Sequence, residues 1–178
     1  MKLREKVYKK NKVYVGKVVD FCNDEIILPD GNKATREYID HPGAVAIIPF
    51  VNKTDIILVR QYRYPVDEIT YEIPAGKLEP GKKESLLGCA KRELKEETGY
   101  KAKTIKKLIS FWPSSAFSNE ELVIYIAKDL VKGTVNPDDD EFIENLAVPF
   151  KKALQMVKQG KIKDSKTVIA LLYIASKI

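Results

Sequence analysis

"EIPAGKLEPGKKESLLGCAKRELKEETGY", Glu72 to Tyr100, is the stretch that decides how this chain is read. From Ser85 to Glu97, Leu86, Leu87, Ala90 and Leu94 recur at spacings of three and four, the stripe of an amphipathic helix. Gly99 follows as a left-handed cap. On such a helix Glu93, Glu96 and Glu97 share a face, with Glu84 at the first turn. Like charges so placed repel by roughly 0.2–0.5 kcal/mol per pair. Spacing alone leaves two readings open, a face solvated by water or a site for a hard divalent cation. Such a cation takes one or two carboxylates and completes its shell with water and substrate phosphate. The Pro74-Ala75-Gly76 turn frees a backbone carbonyl as a further ligand, and Arg92 can hold a carboxylate in a bidentate pair. This context favours a metal site serving a phosphate-bearing substrate.

Outward from this helix the chain is rich in strands. "KVYVGKVVDFC", "DEIILPDG", "KATREYIDH", "GAVAIIPFV" and "DIILVRQYRY" precede it, parted by the turn signals "PDGN", "HPG" and "NKTD". "TIKKLISFW" and "EELVIYIAKDL" follow as further strands. Two helices come last, "PFKKALQMVKQGKI" closed by Gly160 and "DSKTVIALLYIASKI" capped by Asp164 or Ser165. Repeats and low-complexity tracts are absent from the sequence. The expected class is α+β, a mixed sheet carrying the acidic helix, with two C-terminal helices and an N-terminal antiparallel piece.

Composition narrows the function classes. With 178 residues, 44% hydrophobic and 31% charged, the chain suits one soluble globular domain. No apolar run reaches membrane-spanning length, and the basic N-terminus lacks the apolar segment of a secretory signal, so a cytoplasmic location and no membrane partner are expected. Two cysteines imply neither a disulfide framework nor a metal knuckle. The net charge is +6, but all save five of the 31 basic residues are lysines scattered as a solubilising coat. No basic run is interleaved with aromatics, so nucleic acid is not an expected partner. The scarce arginines stand out, because a planar fork suits phosphate.

The acidic segment resembles the Nudix box, G-x5-E-x7-R-E-U-x-E-E-x-G-U. Glu84 is followed after seven residues by "RELKEETGY", a complete match of the second half. In the first half Gly76 precedes Glu84 by seven intervening residues rather than five. The loop is expected to absorb the two extra residues and leave the helix intact. The resemblance implies an α/β/α sandwich with a loop-helix-loop box. Residues 1–40 would form an N-terminal β segment exchanged in a homodimer, and residues 41–178 the hydrolase domain. It implies Mg²⁺, with Mn²⁺ as a substitute, held by Glu93, Glu97 and the Ala75 carbonyl. Glu96 would be a further ligand or hold a water, and Arg92 and Glu84 would brace the cluster.

"REYIDHPGAVAIIPF", "LVRQYRYP" and "EIPAGKLEPG" resemble the ADP-ribose pyrophosphatase subfamily, as does the C-terminal third. The substrate implied is a nucleoside diphosphate sugar, ADP-ribose, cleaved to AMP and ribose 5-phosphate. Arg36 and Arg63 would contact substrate or an interface. The loop Ser114 to Glu120, with Ser115 and Phe117, would face the terminal ribose. That loop carries Ser115 and Ala116 where the subfamily has proline and glycine, which makes GDP-mannose an alternative. In the acidic run Asp138 to Glu141, Glu141 aligns with a metal-contacting carboxylate and Asp139 with a general base. A catalytically silent sensor and an RNA-directed enzyme are the rival classes. The sensor would not need the full set of box carboxylates. His41, Trp112, Tyr62 and Cys89 read as structural, the two aromatics as packing groups that could also border the pocket and the thiol as inert.

Overall fold

The strand Ala44–Pro49 buries every one of its residues and contributes to both hydrophobic cores of the larger compact unit. The structure, a computed structural model, describes residues 3–79, 81, 83–133 and 142–177. In chain order its strands are β1 (Lys6–Lys9), β2 (Lys12–Val15), β3 (Asp20–Ile27), β4 (Lys33–Asp40), β5 (Ala44–Pro49) and β6 (Asp55–Arg63). After a 3-10 turn at Tyr64–Val66 come β7 (Glu68–Glu72), β8 (Ala75–Lys77), α1 (Leu86–Thr98), β9 (Tyr100–Phe111) and β10 (Leu122–Lys132). β11 (Glu144–Pro149), α2 (Phe150–Lys158) and α3 (Ser165–Ala175) complete the fold. The chain divides into two compact units, Met1–Gly43 with Trp112–Glu121, and Ala44–Phe111 with Leu122–Ile178.

In the first unit β3 is central. It pairs antiparallel with β4 from Asp20↔Asp40 to Ile27↔Lys33, and with β1 and β2 on its other edge. The buried Asp24 accepts hydrogen bonds from the Asn11 N–H at 2.9 Å and the Tyr38 hydroxyl at 3.2 Å. The segment Trp112–Glu121 is tied to β4 by the Ile39 N–H donating to the Phe117 carbonyl and by Asn119 Nδ2 donating to Asp40. "KVYVGKVVDFC" is not a single strand. Gly16 turns the chain, its N–H reaching the Val19 carbonyl at 3.1 Å and the Asp20 carboxylate at 3.2 Å. A Cβ there would stand 2.5 Å from that same carbonyl oxygen, which is why a glycine is needed. β3 then runs on into the stretch expected as a separate strand.

In the second unit β5 lies between β8 and β10 in the sheet β8-β5-β10-β9. Its pairing with β10 is parallel and the other pairings are antiparallel, so the sheet is mixed. Alternation sends Val45 and Ile47 to one face, against Cys89, Ala90 and Leu94 of α1. Ala44, Ala46 and Ile48 go to the other face. There they meet Ile56 and Leu58 of β6, Phe150 and Ala153 of α2, and Ala170 and Leu171 of α3. Each large aliphatic side chain so buried stabilises the fold by roughly 1.5–3 kcal/mol. β6 carries β7 and β11 on its two edges, both antiparallel.

The C-terminal cap of α1 is the expected one, Gly99 with φ 73°; Ser85, read as the start of the helical run, is its N-cap, the hydroxyl accepting from the Gly88 N–H. Its buried face differs from the aliphatic stripe. Leu86 and Leu87 remain over a third exposed, while Cys89, Ala90, Glu93, Leu94, Glu97 and Thr98 are buried. The helix therefore turns two carboxylates inward. Among the described residues no helix is long and apolar enough to cross a membrane.

Candidate active site

Docking Ala90 and Leu94 on β5 and β10 sets the rotation of α1, and with it the place of each acid. Glu97 faces β8, where one carboxylate oxygen accepts the Ala75 N–H at 3.1 Å. Glu93 faces the next residue, and its carboxylate occupies the space where a Cβ on Gly76 would sit. The Pro74-Ala75-Gly76 stretch expected as a turn instead enters a strand: Ile47 of β5 donates to the Pro74 carbonyl at 2.8 Å, and Ala75 and Gly76 begin β8.

One guanidinium ties the acids together. Arg92 gives Nε and Nη2 to the two oxygens of Glu84, both at 3.1 Å. Its Nη1 reaches Glu93 at 2.6 Å and Glu96 at 3.0 Å, and Nη2 also meets the Lys77 carbonyl. The hydrogen bond to Glu84, then the charges of Glu93 and Glu96, raise the Arg92 pKa against the opposing effect of burial, so it stays cationic. This offsets the like-charge repulsion along the helix face.

The donors fit a hard divalent cation. Glu93 and Glu97 of α1 are buried carboxylates set against neighbouring residues of β8. The Ala75 N–H points to Glu97 rather than into the sheet, and in antiparallel pairing the carbonyl of such a residue shares that outward edge. Among the described residues no three acidic, histidine or cysteine side chains are grouped so as to hold a metal ion between them. Two carboxylates and a carbonyl would leave further positions to water and phosphate, as Mg²⁺-type ions prefer.

A second charged cluster lies at the start of α3. Glu72, only 2% exposed, accepts Arg63 Nε and Nη2 at 2.8 Å each, the Thr70 hydroxyl at 2.6 Å and Lys166 Nζ at 2.5 Å. Lys166 also donates to Asp164 at 2.9 Å. Asp164 caps α3 through the Thr167 N–H, and the Thr167 hydroxyl accepts the Ile73 N–H at 2.8 Å. Burial alone would raise the Glu72 carboxyl; Arg63 and Lys166 instead hold it at about 2. These groups line a cavity of about 530 Å³, together with Glu68 and Lys163. The sequence reading singled out Arg63 here but missed Glu72 and Lys166. A usable signal was present: a lysine in the first turn of an apolar helix opposes the helix dipole and needs a carboxylate partner.

The remaining expected residues are dispersed. Arg36 pairs with Glu5, and its Nη1 donates to the Thr35 carbonyl at 2.9 Å. Ser115 and Phe117 lie in the Trp112–Glu121 segment of the first unit, Phe117 exposed. Asp139 and Glu141 lie outside the described residues. Trp112 and Tyr62 are not packing groups. They are exposed, Trp112 just beyond the end of β9 and Tyr62 within the β6–β7 ladder with its hydroxyl on Asp67 at 2.7 Å. Burial pushes the Cys89 thiol up to about 12, which makes it a poor nucleophile. His41 accepts the Gly43 N–H.

Residues 40–171 match the family model described as the NUDIX domain. The chain belongs to the NUDIX family. This Nudix chain is 43% identical, over 96% of its length and 92% of the relative's, to the methanol dehydrogenase activator of Bacillus methanolicus. It is 38% identical, over 98% of its length and 95% of the relative's, to the ADP-ribose pyrophosphatase of Bacillus subtilis. Identity to the GDP-mannose pyrophosphatase of Klebsiella pneumoniae is 35%, over 84% and 80% of the two chains. A crystal structure of an ADP compounds hydrolase superposes with a TM-score of 0.82 at 20% identity, covering 97% of this chain and 93% of that one. The α+β architecture expected from the sequence is thus the Nudix fold. Nudix hydrolases generally need a divalent metal. The two extra residues of the box fall between the end of β8 at Lys77 and the start of α1 at Leu86, outside both elements.

Proposed function

We propose that this Nudix enzyme is a Mg²⁺-dependent pyrophosphohydrolase of nucleoside diphosphate sugars, with Mn²⁺ able to substitute, cleaving ADP-ribose to AMP and ribose 5-phosphate. The observation that carries the reading is the buried pair Glu93 and Glu97 set against Gly76 and Ala75. The name and 38% identity of the Bacillus subtilis relative support the substrate. In this reading Glu93, Glu97 and the Ala75 carbonyl hold the ion, Glu96 adds a ligand, and Arg92 with Glu84 keeps the carboxylates in place. The ion, when bound, neutralises charge on the phosphate oxygens and lowers the pKa of the attacking water. Arg63 donates to a phosphate. Asp139 takes the proton of the water and Glu141 contributes a carboxylate, as the family resemblance implies. Water adds to one phosphorus as the bridging P–O bond breaks, leaving two monophosphates.

Arg36, Ser115 and Phe117 keep the substrate-contacting role that the resemblance implies. A homodimer in the cytoplasm, with the first forty residues exchanged, completes the proposal. The exposed Val7, Tyr8, Val13, Tyr14 and Val15 of β1 and β2 support it, since an apolar edge of this kind favours a partner strand. The deciding experiment is a panel of ADP-ribose, GDP-mannose and other nucleoside diphosphate compounds assayed with Mg²⁺, with products separated by chromatography. AMP and ribose 5-phosphate from ADP-ribose are expected as the fastest products. Faster GDP-mannose cleavage would transfer the assignment to that substrate, and no cleavage of any compound would sink it.

A second reading rests on the 43% identity to the methanol dehydrogenase activator: the hydrolase activates a partner dehydrogenase. Adding the chain to a methanol dehydrogenase and following its rate tests this. Activation that persists in Glu97→Gln would separate it from hydrolysis.

A further inference from the structure

The cluster at the start of α3 carries more charge than packing needs. Lys166 is 8% exposed and Glu72 2%, and removing either would leave the other's buried charge with one counter-ion, Asp164 for Lys166 or Arg63 for Glu72. Counted as ions, Arg63 and Lys166 balance Glu72 and Asp164, and the neighbouring Lys163 and Glu68 balance each other at 2.7 Å. The geometry of sharing is uneven. Arg63 spends only Nε and Nη2 on Glu72, leaving Nη1 for another acceptor, and its side chain is 45% exposed where it lines the 530 Å³ cavity. Lys166 is spent wholly inside, on Glu72 and Asp164.

We propose that Lys166 is a positioning residue for anion recognition. By neutralising Glu72 from within the protein, it leaves the charge of Arg63 uncancelled toward a phosphate entering the cavity. The inference deepens the proposed function only in taking the anion to be the diphosphate of the substrate. Without Lys166 the cluster carries one net negative charge and Arg63 serves Glu72 alone. Without the charge of Asp164 it carries one net positive charge. The two substitutions must therefore move anion affinity in opposite directions, which simple damage to the fold cannot do.

The test measures the dissociation constant of inorganic pyrophosphate by calorimetry without divalent metal, alongside KM and kcat for ADP-ribose and a thermal melt. Lys166→Met should weaken pyrophosphate binding and raise KM about tenfold, with kcat within about twofold, for one unit charge a few ångströms from the anion. Asp164→Asn, which retains a good helix cap, should tighten both. The double variant should return close to the parent, and Lys166→Arg should rescue the loss. Should Lys166→Met not fold, Asp164→Asn alone still carries the sign. No pyrophosphate binding by the parent, unchanged affinity in folded Lys166→Met, or weakening in Asp164→Asn each overturns the inference. A parent that binds pyrophosphate with this order of affinities yet cleaves no sugar nucleotide would overturn the proposed substrate and leave Lys166 its role.

Discussion

The carboxylate of Glu93 lies over the Cα of Gly76, in the volume that any side chain at position 76 would claim. Gly76→Ala should therefore displace Glu93 or push β8 from α1. Overpacking of this kind costs roughly 1–3 kcal/mol. Mn²⁺ affinity, read by electron paramagnetic resonance, should drop with turnover. Retained Mn²⁺ affinity in a folded variant would show that Glu93 is not needed where it lies.

Glu97→Gln keeps an oxygen able to accept the Ala75 N–H while removing the negative charge of the proposed ligand. Turnover should fall by at least about a hundredfold, more than loss of an outer-shell partner costs, with the melting temperature held or raised. Initial rates across a Mg²⁺ titration check this. Parent-like rates at limiting Mg²⁺ would remove Glu97 from the metal site.

Arg92→Lys replaces a fork by a point charge. A single ammonium cannot serve both oxygens of Glu84 while also holding Glu93 and Glu96. Turnover should fall roughly 10–100-fold as the carboxylates lose their orientation. The checking measurement is the Mg²⁺ activation constant, which should rise; a kcat loss at an unchanged constant would assign Arg92 another role.

Stability should carry a mark of Glu72 in acid. Its carboxyl, ordinarily at 4.5, sits at about 2 in the fold; burial pulls it up but Arg63 and Lys166 pull it further down. A folded value below the unfolded one stabilises the protein above pH 4.5. That contribution, about 3 kcal/mol, is lost as pH falls from there toward about 2. Lys166 runs the other way: its raised value gives stability below 10.5 that disappears as pH climbs past the folded value. Urea unfolding from neutral pH down to about 3 should show the acid slope in the parent and a shallower one in Glu72→Gln.

Sedimentation at assay concentration should show a dimer that dissociates when Val13 and Val15, both exposed on β2, become lysines. A fully active monomeric parent would dispose of the exchanged N-terminal segment.

Local features were legible in the sequence and remote ones were not. Gly99, and Asp164 as one of two candidates, announced helix ends because a cap depends on its immediate neighbours. The acids of α1 were legible for the same reason, since helical spacing decides which share a face. The seat of Glu93 on Gly76 and the grip of Lys166 on Glu72 depend on which strand packs under which helix; the first-turn position of Lys166 signals the need for a carboxylate, but no local pattern records which one. Among many scattered lysines, Lys166 looked like solvent-facing charge. Leu86 and Leu87 misled in the opposite sense: aliphatic at helical spacing, they remain partly exposed while Glu93 and Glu97 go in.

β5 has a kinetic consequence. It is the first strand of the second unit to leave the ribosome, and it is apolar on both faces. Its parallel partner β10 follows only after β6, β7, β8, α1 and β9 have been synthesised. Until then one edge of β5 is unpaired, and neither of its cores can be completed. Folding should be slow for a chain of this length, since so long a loop must close before the central pair rewards it. During translation, the nascent chain up to β9 is where a chaperone that captures exposed aliphatic strands has most to bind.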